Sequence, residues 1–236
     1  MTQESKKEQV RKMFNSIAGK YDFLNHFLSL GIDKLWRRSL VKMMKKQFPN
    51  QVLDIATGTG DLAIAIAKTF PNAKIIGADI SENMLNIGKE KIVKKKLNDR
   101  VLMEMGDSEN LKYEEGFFDA VTVAFGVRNY EDLDKGLKEM HRVTKKDGHV
   151  YILEFSKPTA FPFKQIYNFY FLNILPLFGK KVSKDNHAYT YLPESVQKFP
   201  DGDLFLQHLQ NAGYKLVRQK KLSFGIASIY TGKKAE

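Results

Sequence analysis

The segment Leu53-Asp54-Ile55-Ala56-Thr57-Gly58-Thr59-Gly60-Asp61-Leu62-Ala63 constrains the fold more than any other stretch of this chain. An apolar run that closes on two glycines and then resumes at helical spacing reads as a strand, a tight turn and a helix. Gly58 and Gly60 let the backbone come close to a ligand at the carboxyl end of that strand. Further apolar runs follow at 74–79, 101–105, 118–124 and 150–155, and helix candidates lie between them over 61–69, 81–96 and 131–145. Strands alternating with helices of this length imply crossover units and a parallel sheet covered on both faces. A helix near 202–211 ends at Gly213, and two strand-like runs, 215–219 and 226–230, lie close enough in sequence to pair antiparallel. The expected class is α/β: a doubly wound, mostly parallel seven-stranded sheet of the Rossmann-like kind.

Two regions stand outside the alternation. Over 8–47, Val10, Met13, Phe14, Ile17, Tyr21 and Leu24 recur every three or four residues, which predicts a helical extension broken at Gly19 and Gly31. Over 159–200, an aromatic run from Phe161 to Phe178 gives way to Asn186-His-Ala-Tyr-Thr-Tyr191, which reads as a helical cap inserted into one domain spanning 1–236. The aromatic run is either packed core or a lid over a hydrophobic channel.

The 236 residues carry a net charge of +11, and the first 50 hold 11 Lys and Arg against 4 acids. Such a surface suits nucleic acid, anionic lipid or an acidic ligand, or it is a solvated helix face. Cysteine is absent, which removes disulfides, thiolate zinc sites and cysteine nucleophiles. No secretory h-region and no run of about 18 apolar residues occurs, so a soluble cytoplasmic protein is the default.

Gly58-Thr-Gly-Asp-Leu-Ala63 fits the dinucleotide pattern G-x-G-x-x-A, and Asp79 lies 19 residues beyond Gly60, so a nicotinamide oxidoreductase is one reading. Asp54 and Asp61 oppose it, because a pyrophosphate would sit among negative charges. S-adenosylmethionine, with a sulfonium, an ammonium and a ribose but no phosphate, suits an acidic loop. Asp79 at the end of the second strand, beside Ile80, can accept from both ribose hydroxyls. Asp107 and Ser108 after the third strand can read the adenine amino group. Asp54, Gly58, Thr59, Gly60, Asp79, Ile80, Asp107, Ser108 and Ala124 are the expected cofactor residues, and no metal is expected.

Further motifs carry a resemblance. Tyr21-Asp-Phe-Leu-Asn25 with Ser29 and Trp36-Arg-Arg38, Phe125-Gly-Val-Arg-Asn129, Arg142-Val with Leu153-Glu-Phe-Ser-Lys-Pro158, and Tyr189-Thr-Tyr-Leu-Pro-Glu-Ser195 before Phe199-Pro200 resemble the ubiquinone/menaquinone biosynthesis C-methyltransferase family over about residues 10–230. The chain departs from that pattern at Leu24 (usually Met), Asp33 (usually His), Ala124 (often Ser) and Lys145-Lys-Asp-Gly148 (usually Lys-Pro-Gly-Gly). At Ala124 only the backbone is left to touch the cofactor. The resemblance implies a class I fold and methyl transfer from S-adenosylmethionine to a ring carbon of a reduced, prenylated demethylquinol. Arg128, which follows the strand beside the cofactor and carries a lasting charge, is the candidate to hold the developing phenolate, and His187 and Tyr191 of the cap are candidates to remove a proton or orient substrate. Glu154 and Ser156 line the substrate face or satisfy turn amides. A prenylated substrate makes peripheral contact with an anionic membrane an expectation, and a homodimer stays open. Another small hydroxylated aromatic or lipid is the nearest alternative substrate. A nucleic-acid substrate is disfavoured, since Ala124-Phe-Gly-Val-Arg-Asn129 replaces the Asp/Asn-Pro-Pro-aromatic run of amino-methylating enzymes and no cysteine serves pyrimidine carbon 5.

Overall fold

The computed structural model describes residues 4–29, 31–169 and 187–235. Seven strands form one sheet in the order β3-β2-β1-β4-β5-β7-β6. These are β1 (Gln51–Ile55), β2 (Lys74–Asp79), β3 (Val101–Met105), β4 (Phe118–Ala124), β5 (Thr144–Phe155), β6 (Lys215–Leu222) and β7 (Ala227–Lys233). The first five are parallel, and β7 runs antiparallel to both β5 and β6. The central strands carry few polar residues because both faces are buried. Val52 faces a layer with Trp36, Leu40, Leu62, Ile66 and Leu85, whereas Leu53 and Ile55 face one with Leu137, Met140, Phe205 and Leu209. These side chains come from α2 (Ile32–Met44), α3 (Asp61–Thr69) and α4 (Glu82–Lys94) on one side. On the other they come from α5 (Leu133–Val143) and α8 (Asp203–Asn211).

Strand order reverses between β1 and β4, so the loops leaving their carboxyl ends diverge and open a crevice. Both loops leave through a strained step, since Ala56 (φ 51°) and Phe125 (φ 60°) take left-handed backbone without being glycine. Gly126 lets them pass, because a Cβ there would meet that of Ala56 at 2.5 Å.

Three expectations change in detail. Helix α1 (Lys6–Leu28) runs through Gly19 unbroken, held by buried Val10, Met13 and Ala18, while Gly31 (φ 75°) does end it and start α2. Strand β5 begins at Thr144 rather than 150, because a register shift against β4 absorbs the Lys145-Lys-Asp-Gly148 turn, with Asp147 at φ 63°. The closing hairpin is longer than its apolar runs, since main-chain pairing carries it through the charged residues of β6 to a 3₁₀ turn at Ser223–Gly225. Of the cap, α6 (Phe163–Phe169) and α7 (His187–Lys198) are described; the second half of the aromatic run, from residue 170 on, lies outside the described residues. Among the described residues, no helix is long and apolar enough to cross a membrane.

Candidate active site

The crevice is a cleft of about 680 Å³, its open mouth included. The ends of β1, β2, β3 and β4 supply its floor through Ile55, Ala56, Gly58, Asp79, Ile80, Gly106, Asp107, Ser108, Ala124 and Phe125. One wall was not foreseen. Lys7, Val10, Phe14 and Tyr21 of α1 line the cleft from a single helix face, the same stripe whose periodicity predicts the helix.

Asp79 accepts from the Gly58 amide (2.8 Å) and the Ser81 amide (2.8 Å), which fixes the glycine turn against β2. Burial raises its pKa while these amides favour the anion. Asp54 is fully buried and accepts from the hydroxyls of Thr57 (2.6 Å) and Thr122 (2.7 Å), with burial pushing its pKa up to about 6. It lies behind the glycine turn, facing a smaller cavity shared with Thr59, Tyr21 and Arg37. Asp107 is bound to Lys7 at 2.9 Å.

Asp61 does not contribute to an acidic loop as the sequence implies. Its carboxylate pairs with Lys91 of α4, which also reaches Asp22 (2.9 Å) and the Thr59 hydroxyl (3.0 Å). Thr59 in turn donates to Asp22 (2.5 Å), so α1 is fastened to the glycine turn. The negative charge left at the turn belongs to Asp54 and Asp79, whose hydrogen bonds come from hydroxyls and amides, with Arg37 sharing the cavity of Asp54. That donor set fits S-adenosylmethionine. Each Asp79 oxygen keeps a lone pair for a ribose hydroxyl, and Asp54 offers charge to a cation.

Residues 2–234 match the model of the ubiE/COQ5 methyltransferase family. The chain belongs to this family. It is 46% identical to the demethylmenaquinone methyltransferase of Bacteroides fragilis, over 97% of this chain and 94% of that one. It is also 46% identical to a ubiquinone/menaquinone biosynthesis C-methyltransferase of a Geobacter species, over 97% of each chain. Among solved structures, a SAM-dependent methyltransferase of Thermotoga maritima superposes with a TM-score of 0.64 over 95% of this chain and 99% of that one. At 18% identity that likeness shows the fold alone.

As a ubiE/COQ5 methyltransferase, the chain takes its methyl group from S-adenosylmethionine. Next to the cofactor cleft, Arg128 lies in a 3₁₀ turn after β4 and faces Glu154 at the end of β5. Its Nη1 donates to Glu154 Oε1 (2.7 Å) and to the Phe125 carbonyl (2.6 Å), and its Nε donates to Ser195 of α7 (3.3 Å). The guanidinium also covers the Phe155 ring at 5.4 Å. Nη2 has no hydrogen-bond partner among the described residues, yet it is not sealed from solvent. Glu154 has no exposure, and burial raises its pKa against the pull of Arg128. Ser156 turns inward to the Gly225 carbonyl and Ser228 instead of facing the site.

Tyr191 of α7 donates to Asn129 (3.1 Å), which lines the cleft, and burial raises its pKa. A phenol with a raised pKa stays protonated near neutral pH. His187 opens α7, but its side chain lies outside the described residues.

Proposed function

We propose that this methyltransferase acts on a ring carbon of a reduced, prenylated demethylquinol, converting demethylmenaquinol to menaquinol, with the ubiquinol precursor a second substrate of the same kind. The observation that carries this reading is the guanidinium of Arg128, whose neighbours Gly126 and Asn129 line the cofactor cleft and whose Nη2 has no hydrogen-bond partner among the described residues. A quinol hydroxyl ionises near a phenol-like pKa of about 10, so carbon nucleophilicity at neutral pH depends on a group that stabilises its anion. In this reading Arg128 takes that charge, and its bond to Glu154 fixes the plane of the guanidinium.

When bound, S-adenosylmethionine supplies an electrophilic methyl group and leaves as the neutral thioether. Asp79, Asp107 and Ser108 hold its nucleoside in this reading, with Ile80 against the base, while Asp54 with Gly58, Thr59, Gly60 and the Ala124 backbone holds the amino-acid end. The wall formed by α1 excludes water. This matters because the reacting sulfonium and phenolate neutralise each other, and water stabilises separated charges. Tyr191, through Asn129, aligns the cap with the substrate ring, and His187 serves the same face. The segment 159–200 caps the prenyl chain within the same domain. Such a substrate resides in a bilayer, so the enzyme works at the inner face of a cytoplasmic membrane.

The test is methyl transfer to a reduced short-chain demethylmenaquinone, with product mass read by spectrometry and S-adenosylhomocysteine binding by calorimetry. Ring methylation supports the reading. Cofactor-product binding without ring methylation would move the substrate to another hydroxylated aromatic, and NADH binding would remove the reading altogether.

A further inference from the structure

The outer side of α2 carries Lys34, Arg38, Lys42 and Lys45 on one stripe, about 16 Å long at the rise of an α-helix. Lys68 of α3 and Lys95 beyond α4 face it across an open groove. Among the described residues none of these six cations has an acid within ion-pair distance. Asp61 reaches the same groove but is bound by Lys91, and His26 stands 3.7 Å from its second oxygen. Lysines that only keep a surface soluble are interleaved with acids. Between residues 31 and 50 the sole acid is Asp33, which is buried against Arg37. Like charges four residues apart also weaken a helix, so the stripe does not serve the stability of α2.

Beside the stripe the surface becomes apolar. Leu35 on α2 and Phe48 just beyond it are each more than half exposed. Trp36, itself buried, donates from Nε1 to Ser223 Oγ (2.8 Å) and so holds the turn that bears the exposed Phe224 against α2. Phe224 stacks on Phe163 of α6 with centroids 3.8 Å apart, and Phe161 and Ile166 stand exposed beside that pair.

We propose that this face, the cationic stripe of α2 with Leu35, Phe48 and the turn at Phe224, docks the protein on an anionic phospholipid bilayer. The cations meet lipid phosphates, and the apolar side chains enter the boundary between headgroups and acyl chains. Leu35 and Ile166 decide between this partner and a nucleic acid, since aliphatic side chains offer a base nothing to stack on but find hydrocarbon in a bilayer. The choice of a bilayer rests in part on the prenylated substrate proposed above; the charge pattern and the apolar rim stand without it.

The full chain is mixed with phosphatidylcholine vesicles, with and without phosphatidylglycerol, and sedimented over a salt series. Binding to the anionic vesicles alone, lost as salt rises, is expected. Each basic residue near such a surface changes partition about fivefold. Lys34→Glu/Arg38→Glu/Lys42→Glu is therefore expected to weaken binding by at least about a hundredfold. The triple Lys74→Glu/Lys138→Glu/Lys215→Glu, equal in net charge but placed elsewhere, is expected to bind as wild type does. The neutral triple Lys34→Gln/Arg38→Gln/Lys42→Gln gives the same answer if the glutamates disturb folding. Wild-type binding by the α2 variants, equal loss in both charge-reversed triples, or displacement from vesicles by single-stranded RNA at equal phosphate would overturn the proposal. Transfer to the water-soluble short-chain quinol is expected unchanged in the α2 variants. Failure of that reaction in wild type with vesicle binding intact removes the substrate reading and leaves the docking face.

Discussion

Glu154 lies wholly out of solvent, so its charge depends on Arg128. Replacing Arg128 with alanine leaves a buried carboxylate uncompensated, a loss of about 3–5 kcal/mol. The expected outcome is a lower urea midpoint for Arg128→Ala, much of it recovered in Arg128→Ala/Glu154→Gln, while methyl transfer stays lost in both. Recovered transfer in the double variant would show that Arg128 serves the fold and not the quinol. Asp54 is expected to make stability depend on pH in the opposite sense to an ordinary paired carboxylate. Its folded pKa of about 6 stands above the unfolded value of about 3.9, so stability is fullest below the unfolded value and is lost as pH rises through the folded one. The loss is on the order of 3 kcal/mol, and Asp54→Asn should remove it. Denaturant midpoints of the two proteins compared at about pH 5 and about pH 7.5 read about half of that loss, since the rest falls between the unfolded value and about pH 5. At this scale the strand-end aspartates were legible, because the strands that carry them have clear apolar runs. The neutralisation of Asp61 was not, since Lys91 lies thirty residues away and only the fold, which sets α3 and α4 on one face of the sheet, brings the two together.

Helix α1 shows how periodicity yields an element without yielding its purpose. Val10, Phe14 and Tyr21 announce an amphipathic helix, but nothing in their spacing says that the apolar face closes a cleft instead of entering the core. Gly19 misled because a glycine weakens a helix by only about 1 kcal/mol, less than the burial of Val10, Met13 and Ala18 contributes. The clasp at Lys91 is testable. Lys91→Met removes the link between Asp22 and Asp61, and is expected to speed amide exchange in α1 and to weaken S-adenosylhomocysteine severalfold, with the sheet amides unchanged. Uniform exchange across the protein would instead mark Lys91 as a general stabilising residue. The cap is legible in the sequence only as a change of composition and the motif over 189–195, whereas its ties to the site, Asn129–Tyr191 and Arg128–Ser195, appear only in the fold.

For the whole molecule, the alternation of strands and helices was sufficient to predict a doubly wound sheet, because parallel strands need crossover helices and the handedness of those crossovers leaves few arrangements. Ligand linkage then gives a global test of the cofactor. S-adenosylhomocysteine at about 100 times its Kd should add about 2.7 kcal/mol of stability. For a chain of this size that raises Tm by about 5–10 °C, whereas NADH should leave it unchanged. The helix that walls the cleft carries a kinetic consequence. Lys7 ties its first turn to Asp107 and Glu109, and Asp22 ties its later half to Lys91. Ions in the surrounding medium screen such tethers, while the buried apolar contacts between them are indifferent to salt. Added salt is therefore expected to speed amide exchange in α1 while leaving that of the sheet unchanged, and equal exchange of α1 at low and high salt would show that its apolar contacts alone hold it.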